Sequence, residues 1–275
     1  MYKNIFDTHA HYDDERFSED RDELLSSLFK QSVSHIINCG CDLKSSLTTI
    51  ALAEKYPQLY AAIGVHAHEA SECTPEDLAE IKKLYSHSKV VAVGEIGLDY
   101  YYDFSPRDRQ IEVFTEQVKL ANNLDLPVII HDREAHEDTL NILRDLRPKG
   151  VVHCFSGSRE MAEEIVKLGL YIGLGGAVTF KNARRPIEVA EYLPLDRLLL
   201  ETDAPYMTPV PFRGKRCDSA HIAYTAEKIA EVKGMDTQEL IDICNENSRR
   251  LFGMRNAEFG MIDCQVKCNT LIIQE

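Results

Sequence analysis

The sequence lacks any apolar run long enough to cross a membrane, and its amino terminus lacks a charged region followed by an apolar one. A membrane-spanning helix needs about 20 consecutive apolar residues, and a secretory signal needs both of those terminal features. These two absences argue against an integral membrane protein and against export. We therefore expect a cytoplasmic protein with no membrane partner.

Closely spaced cysteine pairs and an excess of positive charge are also missing. The chain has eight cysteines but no Cys-x-x-Cys pair, so we expect reduced thiols rather than a disulfide framework. Its 31 lysines and arginines are outnumbered by 45 aspartates and glutamates, which gives a formal net charge of −14. This balance excludes broad adhesion to nucleic acid or anionic membranes but leaves room for a local basic site.

What the chain does have is a regular alternation of apolar strands and helical segments. Its 275 residues, 44% of them hydrophobic, suffice for a substantial core. Near-continuous apolar runs are typical of parallel strands buried on both faces. Cap signals at Ser18, Asp42, Thr74 and Ser105 predict the starts of four of about eight helices. The eight predicted strands include or end at residues 5–6, 35–38, 59–65, 90–94, 128–130, 151–152, 171–173 and 198–200.

This alternation predicts the fold. It implies right-handed βαβ crossovers and a parallel sheet, and eight such units can close into a single TIM (β/α)8 barrel. No linker or shift in composition divides the chain, so we predict one domain over residues 1–253 and an appended tail of unknown role over 254–275. Cys264 and Cys268 in that tail are spaced as metal ligands can be, but we expect them to have no such role.

The segment Asp7-Thr8-His9-Ala10-His11 gives the first indication of function. Side chains alternate along an extended segment, so His9 and His11 point to the same side. Neutral imidazole is the commonest protein metal ligand, so this pair is a candidate for metal binding. The pair alone is weak support, because a histidine of this kind often only forms a hydrogen bond in a loop.

Polar residues recur where other predicted strands end, and in a barrel those carboxyl ends meet at one mouth. A single histidine after an apolar run is usually structural, but the joint pattern predicts a metal site. The polar residues at these other strand ends are His66, His68, Glu95, His131, His153, Glu201 and Asp203. Four histidines and two carboxylates exceed what one tetrahedral ion needs, and two ions about 3.5–4 Å apart with a bridging carboxylate would use all six.

We expect Glu95 to bridge two divalent ions. His9, His11 and Asp203 would hold one of them, and His131 and His153 the other. Such mixed nitrogen and oxygen ligands suit Zn²⁺ or Mn²⁺ better than Ca²⁺, while the number and identity of the ions, with Mg²⁺ included, stay open.

The motifs at these positions resemble those of the TatD family, which are metal-dependent deoxyribonucleases of the amidohydrolase superfamily with a TIM-barrel fold. The resemblance runs from about residue 4 to residue 253. It implies the same six ligands: His9, His11, Glu95, His131, His153 and Asp203. It is carried by six segments: Asp7 to His11, Gly64 to His68, Gly94 to Tyr100, Pro127 to His131, His153 to Gly157, and Glu201 to Pro205.

The resemblance also implies residues that meet substrate. His66 lies in a Gly-Val-His-x-His motif and is expected to face the substrate, and Arg213, Lys215 and Arg216 match a basic loop of the family. The sequence departs from the family at Ala67, where proline is usual. It departs again at residues 217–220, which puts substrate preference rather than chemistry in question.

Together these features predict a 3′–5′ exonuclease that cleaves single-stranded DNA or DNA ends by attack of a metal-activated hydroxide. Asp203, Glu95 and His66 are the expected catalytic residues, and Asp203 would also accept a proton. Glu201 and Asp99 are candidates to orient a ligand histidine or to buttress a basic residue, with a purely structural role as the alternative for both. A monomer is expected. Two alternatives remain: a metal-dependent ester or amide hydrolase, such as a D-aminoacyl-tRNA deacylase, and a barrel that has lost catalysis and serves as a binding protein.

Overall fold

A computed structural model describes residues 2–254 and shows a TIM barrel, as the alternation of strands and helices predicted. The strands are parallel and pair in chain order, from the first to the eighth. A further parallel bridge joins Ala10 to Ala204 and brings the two edges of the sheet together. The strands are β1 Ile5–Ala10, β2 Val33–Cys39, β3 Leu59–Ile63, β4 Val90–Asp99, β5 Val128–Arg133, β6 Gly150–Val152, β7 Tyr171–Leu174 and β8 Leu198–Leu200.

Helices cover the outside of this barrel. None of those in the described part of the chain is long and apolar enough to cross a membrane. Short 3-10 turns, at Ala67–Glu69 and Ser219–His221 among other places, lie in the connections. The helices are α1 Arg21–Gln31, α2 Leu43–Lys55, α3 Pro75–Leu84, α4 Arg107–Leu124, α5 His136–Leu146, α6 Arg159–Lys167, α7 Arg184–Tyr192, α8 Ile222–Lys233 and α9 Thr237–Leu251.

The helix starts predicted at Asp42 and Thr74 are confirmed, whereas two others were wrong. Asp42 and Thr74 both accept a backbone N–H of the first turn in capping boxes. Ser18 instead ends a 3-10 turn, and α1 begins after Asp20. Ser105 directs its hydroxyl away from α4 and donates to the carbonyl of His68 at 2.8 Å.

Helix α7 was not predicted from the sequence. Its N-cap residue, Ala183, has no side chain that could bind the first backbone N–H groups. Pro186 lies in the first turn, and proline is tolerated at a helix start but disrupts a helix interior, so it did not distinguish a helix from a loop. The predicted tail, apart from Met254, lies outside the described residues, and so do Cys264 and Cys268.

The core consists of two apolar layers with the barrel wall between them. The larger one lies between the strands and the helices. The smaller one receives side chains from every strand, and Leu251 and Phe252 of the last helical turn pack against it. A cluster to which all eight strands contribute must lie inside the barrel. Its strand residues are Phe6, Ile37, Cys39, Ala62, Ala92, Ile129, Val151, Tyr171 and Leu199.

Candidate metal centre

The interior apolar layer determines where the polar side chains point. Because side chains alternate along a strand, the residue two positions beyond an inward apolar residue also faces the barrel interior, one step closer to the mouth. At the mouth ends of β5 and β6 that residue is a predicted ligand, and at the end of β8 it is Glu201, two residues before the predicted ligand Asp203. The pairs are Ile129 and His131, Val151 and His153, and Leu199 and Glu201.

On β1 and β4 the alternation is interrupted by a change in register. Pairing of β1 with β2 shifts between Asp7 and Ala10, and pairing of β4 with β5 shifts between Val93 and Ile96. Such irregularities redirect side chains and are frequent next to active sites. They place His9 and Glu95 within the strands yet inside the barrel, where both are buried.

The prediction that the ligands follow their strands was therefore wrong for three residues. His9, Glu95 and His131 lie inside β1, β4 and β5, because those strands continue their ladders beyond the apolar runs. His153 and Asp203 do follow β6 and β8.

The Glu95 carboxylate is the hub of the cluster. His153 Nε2 lies 2.7 Å and His131 Nδ1 3.0 Å from its Oε1. On the other side, His9 Nε2 lies 3.4 Å and His11 Nε2 3.5 Å from its Oε2. Both carboxylate oxygens thus face imidazole nitrogens, as those of a bridging ligand would.

His9, His11 and Asp203 come together on the Oε2 side. The two Nε2 atoms of the histidines are 3.0 Å apart, and Asp203 Oδ1 lies 3.7 Å from that of His9 and 3.5 Å from that of His11. Donor atoms of these three residues form a group compact enough to hold one ion. The structure therefore brings the predicted first ligand set together.

His66 also belongs to the cluster. Its Nε2 lies 3.6 Å from Glu95 Oε1, and it forms a second compact donor group with Glu95 and His131. Burial lowers the pKa of His66 to about 3, so its imidazole is neutral. Because His66 Nδ1 accepts the backbone N–H of His68 at 3.2 Å, the neutral ring carries its proton on Nε2 and can donate a hydrogen bond to a substrate from there.

The charges of the cluster fit a divalent cation. Burial would raise the pKa of Glu95, but the surrounding histidines outweigh it and hold that pKa well below its ordinary value. In residues 2–254 no lysine or arginine lies within 4.0 Å of the Glu95 or Asp203 carboxylate. Burial lowers the pKa of His9 to about 4, so this ring supplies no positive charge. Nearby carboxylates outweigh burial and raise the pKa of His11, His131 and His153, so without a metal these rings hold protons that a bound divalent ion would displace. Carboxylates and imidazoles together make a set of metal donors.

Asp99 supports the cluster from behind. Its Oδ2 accepts hydrogen bonds from His131 Nε2 at 3.1 Å and from His68 Nε2 at 2.9 Å. His131 therefore turns its other nitrogen, Nδ1, toward Glu95. Carboxylate–histidine pairs of this kind fix the orientation of metal-binding histidines. His68 lies on the far side of Asp99 and contributes to none of the compact donor groups among the described residues.

Glu201 lies beneath the cluster. Burial raises its pKa to about 8, its Oε1 accepts the backbone N–H of Cys154, and it lies 3.8 Å from His153 Nδ1. Its Oε2 and His153 Nδ1 are both buried without a hydrogen-bond partner. A Cβ atom at Gly173 would collide with the Glu201 carboxylate, so glycine is required there.

Asp7 has a role that sequence reasoning missed. It is fully buried, and its carboxylate accepts hydrogen bonds from the Thr202 hydroxyl at 2.6 Å and the Ser219 hydroxyl at 2.7 Å. It thereby ties β1 to the segment that carries Asp203. The available signal was an aspartate directly after the apolar pair that opens β1.

Cys41 was missed as well. Its thiol forms a compact donor group with His11 and Glu95. The Cys39 thiol, one layer below, lies 3.4 Å from His9 Nδ1. The available signal was the Cys-Gly-Cys spacing at the end of β2, although Cys41 itself lies beyond the strand, where alternation no longer fixes the direction of a side chain.

The three cations of the basic loop have different surroundings. Arg216 is engaged: its guanidinium binds both oxygens of Asp20, at 2.8 and 2.6 Å, and donates to the carbonyl of Arg16 at 2.7 Å. Arg213 is exposed and lies 3.6 Å from the centroid of the Phe180 ring. Lys215 is exposed too, and within the described residues neither Arg213 nor Lys215 has a carboxylate partner.

Comparison with known proteins agrees with this picture. Over 251 residues the chain is 47% identical to a metal-dependent hydrolase of Bacillus subtilis named YabD and described as uncharacterized, covering 90% of this chain and 98% of the relative. It is 34% identical over 261 residues to the 3′-5′ ssDNA/RNA exonuclease TatD of Escherichia coli K12, covering 91% and 99% respectively.

A solved structure is similar as well. The crystal structure of YJJV, a TatD homologue from Escherichia coli K12, superposes with a TM-score of 0.85 at 36% identity and covers 90% of this chain and 98% of its own. The family model described as TatD related DNase matches residues 6–253. The chain therefore belongs to the TatD family of metal-dependent hydrolases.

Proposed function

We propose that this protein is a 3′–5′ exonuclease that hydrolyses phosphodiester bonds at the ends of single-stranded DNA with the help of one or two divalent ions. The observation that carries the proposal is the cluster around Glu95, in which His9 and His11 face one carboxylate oxygen, while His131, His153 and His66 face the other. The relative named as a 3′-5′ ssDNA/RNA exonuclease supports the choice of substrate.

Two ligand sets share Glu95 in this proposal. His9, His11 and Asp203 would hold one ion. His131 with His153, whose Nδ1 and Nε2 atoms are 3.4 Å apart beside Glu95 Oε1, would hold the other. Ions bound there would polarise a phosphoryl oxygen and make water a better nucleophile at neutral pH. Zn²⁺, Mn²⁺ and Mg²⁺ remain candidates, since the donors include both imidazole and carboxylate.

The protein's own groups have separate tasks. Asp203 is ionised because hydrogen bonding to His11 and the charges of nearby histidines outweigh burial and lower its pKa. With 21% of its side chain exposed it can accept a proton from an attacking water. The neutral His66 ring can donate a hydrogen bond to a phosphate oxygen. Asp99 keeps His131 oriented.

The test is hydrolysis of a single-stranded oligonucleotide labelled at either end, by protein reconstituted with each metal in turn. We expect the 3′ label to be released first and a chelator to stop the reaction. Acylated tRNA and simple esters are assayed in parallel. Rapid deacylation without cleavage of the oligonucleotide would overturn the proposal in favour of an ester hydrolase.

Matched variants make this test specific. His131→Gln should abolish cleavage, whereas His87→Gln, which changes a surface histidine paired with Glu54 at 3.1 Å, should leave it intact. Equal activity of both variants would separate the cleavage from the cluster. A cytoplasmic location and a monomeric state remain predictions, which fractionation and light scattering can check.

A further inference from the structure

Three aromatic rings are exposed together at the mouth of the barrel. They belong to the loop between β4 and α4, where Tyr101, Tyr102 and Phe104 are 55%, 46% and 66% exposed. Tyr102 and Phe104 are stacked, with ring centroids 5.3 Å apart, and Tyr101 meets Tyr102 edge-on at 5.0 Å. Exposing adjacent rings forgoes burial of apolar area, so such a patch points to binding.

The backbone under these rings is held in place. Asp99 Oδ1 accepts the backbone N–H groups of Tyr101 at 3.0 Å and Tyr102 at 2.9 Å. At the other end of the loop, the buried Ser105 hydroxyl donates to the carbonyl of His68 and accepts the N–H of Ser71. The rings therefore face solvent from a fixed support, which lowers the entropic cost of binding.

The patch adjoins the metal centre. The His68 ring lies 4.8 Å from the Phe104 ring and 5.4 Å from the Tyr102 ring. Asp99 binds both His68 and His131, and His131 contacts Glu95. One continuous series of contacts thus connects the aromatic rings to the proposed bridging ligand.

Arg133 adds positive charge to the patch. Its guanidinium carbon lies 4.0 Å from the centroid of the Tyr101 ring and 4.6 Å from that of Tyr102. Among the described residues no carboxylate pairs with it, in contrast to Arg216. A stacked guanidinium without an acidic partner can bind a phosphate through its free N–H groups.

We propose that Tyr101, Tyr102, Phe104 and Arg133 form a stacking platform for the unpaired bases of a single-stranded nucleic acid whose end lies at the metal centre. Stacking on aromatic rings tolerates any base, because every base has a π face, and Arg133 would hold the backbone between the bases. Paired bases in a duplex cannot lie on such a platform. This inference rests on the proposed function and assigns its preference for single strands to these residues.

The kinetic test replaces the ring and keeps an apolar side chain. Phe104→Leu and Tyr101→Leu should each raise KM for a single-stranded oligonucleotide by about fivefold to a hundredfold, the range that loss of one stacked base gives. Hydrolysis of a small phosphodiester without neighbouring bases should stay unchanged. The matched control is Tyr60→Leu, because Tyr60 is also covered by a cation, Lys89 at 4.8 Å, but lies near the amino end of β3.

A binding test does not depend on turnover. An oligonucleotide with a 3′-phosphorothioate and 2-aminopurine near its end should lose fluorescence on binding, because the base stacks. The protein has no tryptophan to interfere with the signal. We expect the quenching to be lost in Phe104→Leu and kept in Tyr60→Leu.

The outcomes separate this inference from the proposed function. Normal oligonucleotide cleavage by Phe104→Leu, with unchanged KM and full quenching, would overturn the platform and leave the exonuclease standing. Quenching by wild-type protein that lacks nuclease activity would support the platform and refute the exonuclease. A change of oligomeric state in Phe104→Leu without loss of quenching would reassign the surface to contact between two copies and overturn the platform.

Discussion

Imidazole nitrogens lie within 3.5 Å of both oxygens of the Glu95 carboxylate. Replacing it with glutamine keeps the shape but removes the negative charge that a bridging ligand needs. We expect Glu95→Gln to reduce turnover by at least a hundredfold and to release at least one equivalent of metal. Elemental analysis and the oligonucleotide assay measure the two effects.

The control for this substitution is Glu54→Gln. Glu54 also pairs with a histidine, His87 at 3.1 Å, but 60% of its side chain is exposed. It should behave like the wild type. Normal turnover and metal content in Glu95→Gln would rule out the bridge.

Asp99 acts on the centre only through His131. Asp99→Asn keeps an oxygen for the N–H groups of Tyr101 and Tyr102, yet weakens the charged hydrogen bond to His131 Nε2. We expect metal affinity to fall by about 10- to 100-fold, with little loss of thermal stability. Metal titration by calorimetry gives the affinity, and saturating metal should restore most of the turnover. Lost turnover at unchanged metal affinity would contradict this positioning role.

Sequence alone identified the six proposed ligands because each one lies at or near the end of an apolar strand. It could not identify Asp7 or Cys41 in the same way. The importance of Asp7 comes from Thr202 and Ser219, which lie about 200 residues further along the chain and approach it only when the barrel closes. Cys41 lies beyond the end of β2, where direction cannot be read from alternation.

At the scale of elements, the β8–α8 loop contains cations with distinct surroundings. Arg213→Ala and Lys215→Ala should each reduce the salt dependence of oligonucleotide binding by about one phosphate contact, since neither has an acidic partner in the described chain. Arg216→Ala should change that slope little, because its guanidinium is bound to Asp20. Binding measured over a series of salt concentrations gives the slopes.

The Arg216 variant has a different expected effect. It would lose a partly exposed ion pair between two loops, which is worth about 0.5–1 kcal/mol of unfolding free energy. Denaturant unfolding checks this value. A large change of salt slope in Arg216→Ala alone would mean that Asp20 releases the guanidinium when nucleic acid binds.

Strand ends were the least predictable elements. An apolar run shows where a strand is buried, but β1, β4 and β5 continue as hydrogen-bonded ladders through polar residues. The shift of register between Val93 and Ile96 includes Gly94, a residue type that can indicate a bulge within a strand, but the position of the shift depends on the neighbouring strand. The sequence of β4 alone therefore does not show that Glu95 faces the barrel interior. That expectation depends on the other candidate ligands at neighbouring strand ends.

At the scale of the whole molecule, the metal should stabilise the barrel. The donors in the compact groups come from seven of the eight strands or their ends, so a bound ion joins elements that are far apart in the chain, and it would displace the protons on His11, His131 and His153. A ligand present at 1,000 times its Kd adds about 4 kcal/mol, so chelation should lower Tm by roughly 10 °C. Differential scanning fluorimetry with and without chelator measures the shift.

The matched control is the same pair of scans on His131→Gln and His87→Gln. The first should show a smaller shift on chelation and the second the full one. An unchanged Tm of the wild-type protein, despite measured metal release, would show that the metal-free barrel balances the charges of its buried carboxylates by itself.

The overall architecture was the most predictable property, because eight apolar runs alternate with helices and leave few other arrangements. The negative charge of −14 was equally plain, and it makes the local distribution of cations important. The sequence could not show that Arg216, unlike Arg213, is paired with a carboxylate in the described part of the chain, because Asp20 and Arg216 are far apart in the sequence.

The hydrogen bonds of Asp7 to Thr202 and Ser219 also bear on the order of events during synthesis. His9 and His11 leave the ribosome among the first residues, while Asp203 follows only after all eight strands have been made. A nascent chain that stops before β8 offers the histidines and Glu95 without the residue that completes the first donor group. Full coordination of a metal ion at that group must therefore wait until translation has passed β8.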